Sequence, residues 1–134
     1  MAWMLDTNIC IYIIKQRLVS VFEKFRTITP GQLAISVITL AELEYGARKS
    51  AAVEKNLSAL HQFAIPLEIL PFDYNATVEY GIIRADLEMK GTPIGSLDMF
   101  IAAHAKSLNY FLVTNNEREF SRIDGLRIEN WVNS

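Results

Sequence analysis

Residues 4–12, MLDTNICIY, place a carboxylate, Asp6, inside an otherwise apolar run. Ala2 to Leu5 before it read as a short buried strand, and Ile9 to Ile14 after it as the apolar part of a following element. A charge buried at such a junction without a partner costs several kcal/mol. Asp6 must stay wet, cap a helix, or be neutralised by a cation. Aspartate is among the best N-caps, so Asp6 alone does not choose between capping and cation binding.

Outward from this stretch, short apolar strands alternate with longer helical segments. The strand candidates are AWML near residue 3, LAISVI at 33–38, LEIL at 67–70, YFLVT at 110–114 and LRIEN at 126–130. Between Tyr74 and Lys90, Val78, Ile82, Ala85 and Met89 recur at helical steps and predict an apolar stripe facing the core. Asp98 to Leu108 forms a second helix with Ile101, Ala105 and Leu108 on one face, and GTPIGS before it is a loop. Strands that are apolar on both faces and alternate with helices predict an α/β fold, with an open parallel sheet covered on both sides. Ligands of such sheets sit in the crevice beyond the carboxyl ends of the strands.

The chain has 134 residues and is read as one domain, 1–134, able to bury about two thirds of its unfolded surface. Apolar residues make up 51% and charged residues 21%, which excludes a disordered chain. No apolar run approaches the roughly 20 residues that span a bilayer, and no basic segment precedes an apolar core as in a signal peptide. The expectation is a cytoplasmic protein without membrane contact. Cys10 is the sole cysteine, which excludes an internal disulfide and a thiolate zinc site. The net charge is −2 with scattered basic residues, so any nucleic-acid contact must be local or helped by metal or a partner.

Three carboxylates stand at three junctions. Asp6 ends the first strand, Glu42 lies one turn into the helix after LAISVI, and Asp98 opens the helix after GTPIGS. Each has a structural explanation of its own. Asp6 is a potential cap. Glu42 completes a capping box with Thr39, and Asp98 sits in a first turn after a Ser96 cap, where the helix dipole favours an anion. Their convergence at one sheet edge has no such explanation. Two charges about 4 Å apart repel by about 4 kcal/mol at an effective dielectric of 20. A divalent cation removes that repulsion, and hard oxygen donors without histidine or thiolate favour Mg²⁺ or Mn²⁺ over zinc. The matching reaction is phosphodiester hydrolysis.

Four segments in this order, LDTN, ITLAELEYG, LDMFIAAHA and VTNNEREF, resemble PIN-domain ribonucleases, and among them the VapC toxins of bacterial type II toxin–antitoxin systems. The resemblance spans nearly the whole chain and implies a three-layer α/β/α sandwich with a short-stranded, mostly parallel sheet. It implies a Mg²⁺-dependent endoribonuclease that arrests translation and is neutralised by a VapB-type antitoxin. Its RNA substrate would be tRNA, and for enteric-type members initiator tRNA cut in the anticodon region. It also implies a homodimer, an antitoxin tail lying near the active site, and operator DNA bound only through the antitoxin. By position, Asp6, Glu42 and Asp98 match the acidic metal ligands, and Asn8, Thr114 and Asn116 match polar positions that line or support the site. Many PIN domains carry Asp where Asn116 stands. The neutral amide offers only a carbonyl oxygen, so Glu119, three residues on, becomes the candidate that completes the site. One firmly held Mg²⁺, with a second arriving with the RNA, suits this departure.

Other residues read as structural. Cys10 is a small buried hydrophobe, Trp3 and Trp131 belong to packing, Glu44 is a solvated charge, and His61 has no acidic neighbour in sequence. His104 lies about 240° round the helix from Asp98 and is a packing or surface residue. Arg118 and Arg122 are candidates for RNA phosphates. Segment 11–25 carries more apolar residues than one helix face needs and is a candidate partner surface, or else a hairpin packed on its own domain. A haloacid-dehalogenase-like phosphatase needs a second Asp where Asn8 stands. A receiver domain needs an acidic pair and a late Lys that are missing. A catalytically weak or dead PIN module that binds RNA is the alternative: the three carboxylates argue against it and the neutral Asn116 argues for it.

Overall fold

Three residues of strand suffice before Asp6 turns the chain. The computed structural model describes residues 2–132, and in it Trp3–Leu5 forms β1 and Thr7–Ile14 forms α1. The order continues with α2 (Val19–Thr27), β2 (Leu33–Ser36), α3 (Val37–Arg48), α4 (Val53–Ala64) and β3 (Glu68–Leu70). It ends with α5 (Tyr74–Met89), α6 (Ser96–Leu108), β4 (Phe111–Val113), α7 (Glu117–Phe120) and β5 (Ile128–Glu129). The five strands of the described residues form one sheet in the order β3-β2-β1-β4-β5, with every neighbouring pair parallel. Central β1 pairs Met4 with Ala34 on one side and with Leu112 on the other.

Side chains of a strand alternate between faces, and here the alternation builds two cores. Leu5, Leu33, Ile35 and Val113 join the cluster under α1–α4, whereas Met4 and Leu112 join the cluster under α5, α6 and α7. The result is the three-layer α/β/α sandwich. Every expected strand exists, shortened at its ends, and at β2 the loss is to a helix: Val37 and Ile38 of LAISVI already belong to α3.

The expected core stripe of α5 points the other way. Val78, Ile82 and Met89 are 45%, 54% and 86% exposed, and Ala85 is also exposed. The buried face is Ala76, Tyr80, Ile83 and Leu87, a set with the same steps displaced by two residues. Tyr80 stacks on Phe100 of α6 with ring centroids 4.2 Å apart. Helix α6 is buried on nearly all sides, through Met99, Ile101, Ala102, Ala103, His104 and Ala105, rather than along one stripe. Its small residues let α5 and the sheet approach closely.

The segment 11–25 is mainly a hairpin packed on its own domain. Ile13 and Val21 are buried, Phe22 packs against the first core, and Phe25 stacks on Phe63 of α4 at 5.8 Å. At the last strand, the indoles of Trp3 and Trp131 both donate to Glu129 Oε1, at 3.2 and 2.7 Å. No helix among the described residues is long and apolar enough to cross a membrane.

Candidate active site

Asp6 leaves β1 buried, only 5% exposed, and it does cap the helix that follows. Its Oδ1 accepts the Ile9 amide at 2.9 Å and caps α1. The Thr114 hydroxyl donates to the same carboxylate. Burial nevertheless pushes its pKa up to about 6, with further upward pressure from the charges of Asp98 and Glu42. The carboxyl of Asp98, in the first turn of α6, is likewise raised, first by burial and then by Glu119 and Glu42. Asp6, Glu42, Asp98 and Glu119 therefore share one crevice at the carboxyl edge of the sheet.

Glu42 is not the partner of a Thr39 cap. Helix α3 begins earlier, because Ser36 ends β2 in extended conformation and its Oγ already accepts the Ile38 amide at 3.1 Å. Thr39 is thus a buried helical residue, and Glu42 lies more than a turn in. Glu42 Oε1 instead accepts the Thr7 hydroxyl at 2.8 Å, and Thr39 Oγ1 lies 3.4 Å from that Thr7 hydroxyl. Sequence reading passed over Thr7. A hydroxyl directly after the strand-ending carboxylate, aimed from the first turn of α1, is the signal that marks it. Likewise α6 is capped at Gly95, with Ser96 already its first helical residue.

Thr114 follows β4, is buried, and accepts the Asn116 amide at 2.9 Å while serving Asp6. The Asn116 side-chain amide donates to Glu119 Oε2 at 3.0 Å, so α7 holds Glu119 toward the crevice through a neutral residue. Asn8 is exposed, and no hydrogen bond ties it to the carboxylates among the described residues. Arg122 donates to the Pro93 carbonyl at 3.1 Å and so braces the GTPIGS loop. His61 does have an acidic neighbour: Glu44 Oε1 lies 3.2 Å away across the α3–α4 contact, and Arg48 engages the same carboxylate.

His104 is buried, as expected of a packing residue, and also ties the site together. Its Nδ1 lies 2.7 Å from Ser36 Oγ, and its ring packs edge-on against Phe72. Burial lowers its pKa against the opposing influence of Asp73 and Pro71, so the imidazole is neutral. The same ring also hydrogen-bonds the Pro71 backbone, so it is held from two sides. The helix carrying Asp98 is thereby pinned to the helix carrying Glu42.

No three His, Cys, Asp or Glu side chains of the described residues are already gathered tightly enough to enclose a metal. The donor set still suits Mg²⁺, which is usually held by one or two carboxylates, several waters and phosphate oxygens.

A parallel three-layer sandwich with acids gathered at the carboxyl edge of its central strands is the architecture of a PIN domain. The PIN domain model matches residues 3–126, and the chain belongs to that family. Its relatives there are VapC ribonucleases. The tRNA(fMet)-specific endonuclease VapC of Salmonella typhimurium is 50% identical over 129 residues, 96% of this chain and 97% of the relative. The protein of the same name from Shigella flexneri is 46% identical with the same coverage. Among solved structures, VapBC2 from Rickettsia felis bound to a promoter DNA fragment matches with a TM-score of 0.92 at 45% identity. That match covers 98% of this chain and 99% of the other.

Proposed function

We propose that this chain is a toxin endoribonuclease that hydrolyses a phosphodiester bond of tRNA with Mg²⁺, or Mn²⁺ in its place, and so arrests translation. The observation that carries the reading is the sharing of one crevice by four carboxylates, with Asp6 buried deeply enough to resist ionisation. A Mg²⁺ ion held by Asp6, Glu42, Asp98 and Glu119, with the Asn116 carbonyl in reach, would supply activation of water and neutralisation of charge at phosphorus. The chain's own residues do the positioning. Thr7 fixes one oxygen of Glu42, Thr114 and the Ile9 amide fix Asp6, and Asn116 fixes Glu119.

The relatives named for tRNA(fMet) support initiator tRNA as the substrate. The VapBC complexes, two of them bound to DNA, support a VapB-type antitoxin as partner and contact with operator DNA through it. A cytoplasmic homodimer completes the reading, and the outward stripe of Tyr74, Val78, Ile82 and Met89 on α5 offers a surface for self-association.

Total tRNA incubated with the purified chain should yield a discrete pair of initiator-tRNA fragments in Mg²⁺ and none in EDTA. Cleavage that persists in EDTA would sink the metal mechanism. Glu119→Gln should lower the rate by about 100- to 1,000-fold, the range expected when one charged contact at a reacting centre is removed. An unchanged rate would remove Glu119 from the site.

A further inference from the structure

A groove of about 580 Å³ opens beside Glu42, between α1, α3 and α4. That volume lies within the range of ligand clefts, about 300–1,000 Å³. Its floor is aliphatic, with Ile11, Ile14 and Leu60, and its rim carries Lys15, Lys49 and Lys55.

Among the described residues four of the thirteen lysines and arginines are held in ion pairs, and the three on this groove are not among them. Arg48 pairs with Glu44, Arg84 with Glu88, Lys90 with Asp86 and Asp124, and Lys106 with Glu79. Among the described residues Lys15, Lys49 and Lys55 make no ion pair, and Lys49 rests over the Tyr45 ring at 4.9 Å. A chain of net charge −2 thus leaves three uncompensated positive charges on one groove, and that groove contains a carboxylate of the active site.

We propose that this groove is the track of a single-stranded RNA segment next to the scissile phosphate, with Lys15, Lys49 and Lys55 on its phosphates. The proposal rests on the endoribonuclease reading and adds the path of the substrate to it. A backbone with one negative charge per residue matches cations spaced along a groove whatever its sequence. Single-strand binders commonly follow the backbone with such a positive groove. Lysine is suited to this task, since its ammonium acts on phosphate as a point charge without fixed geometry. The lysines position the strand and do not choose the cut.

The test compares cleavage of labelled tRNA in Mg²⁺ by the wild-type chain, a K15Q/K49Q/K55Q variant, Gly46→Leu, and Lys24→Gln as a control outside the groove. Gly46 lines the groove on α3, and a side chain there enters open space, so its substitution fills the track without straining the helix. The triple variant should lose at least ten-fold in kcat/KM, mainly through KM. Its log–log dependence on salt should be shallower by about 2, at roughly 0.7 per phosphate contact on a single strand. Gly46→Leu should raise KM at unchanged melting temperature, and Lys24→Gln should leave both quantities where they were. A wild-type chain that does not cut RNA overturns the nuclease reading itself. A wild type that cuts, beside groove variants of unchanged KM and salt slope, overturns the track alone, including the case where they lose only affinity for an antitoxin peptide. A loss shared equally by Lys24→Gln reduces the effect to overall charge and also overturns it.

Discussion

Asp98→Asn should leave the chain folded and lower tRNA cleavage by about a thousand-fold. The side chain keeps its shape in the first turn of α6, so the substitution removes charge without opening the core. Deleting one preorganised electrostatic contact to a reacting centre commonly costs about 100- to 1,000-fold. Asp98 faces both Glu119 and Glu42, so its loss should also weaken any cation site between them. Expression of the wild-type chain without a partner should stop growth, and Asp98→Asn should relieve the arrest. If Asp98→Asn is as toxic as the wild type, Asp98 does not belong to the site.

Asp6→Asn should abolish cleavage and yet make the metal-free protein more stable. Asp6 has a folded pKa of about 6 against the ordinary value of 3.8. Between those limits the folded chain binds more protons than the unfolded one, so stability falls as pH rises through that window. Below about pH 4 the penalty is absent, and above pH 6 it is complete, at roughly 2–3 kcal/mol. Asparagine retains an oxygen for the Ile9 amide and is an equally good N-cap. Its melting temperature at pH 7 without divalent ions should therefore exceed the wild type's by roughly 5–10 °C. The difference should vanish near pH 4, and Mg²⁺ should stabilise the wild type more at pH 7 than at pH 5. A variant that melts below the wild type at pH 7 would show that ionised Asp6 is not held at a cost. Gain of stability on loss of a functional charge is the usual trade at active sites.

Much of this site was legible in the sequence because each acid follows a strand or loop signal that fixes its place in an α/β fold. What stayed hidden depends on tertiary partners. Two stripes of α5 have the same spacing, and only the aromatic and small residues of α6 decide which is buried. Ser36 was read as strand and Thr39 as cap, because the start of a helix directly after a buried strand leaves no loop residues to mark it. Thr7 and Glu42, and His61 and Glu44, meet across elements, where spacing carries no information. Asn116, where many PIN domains carry Asp, drew attention to Glu119, which the fold places beside Asp98. The hydrogen bond that joins Asn116 to Glu119 depends on the short α7 turn.

The two apolar cores lie on opposite sides of a sheet whose strands are two to four residues long. Asp6 and Glu42 arrive with the layer of α1–α4, whereas Asp98 and Glu119 arrive with the layer of α5–α7. The crevice is therefore a seam between two halves, and the Ser36–His104 link is the bolt through it. A cation seated there would act as a clamp on the whole molecule, so the affinity of the site and the cohesion of the fold are one quantity measured in two ways.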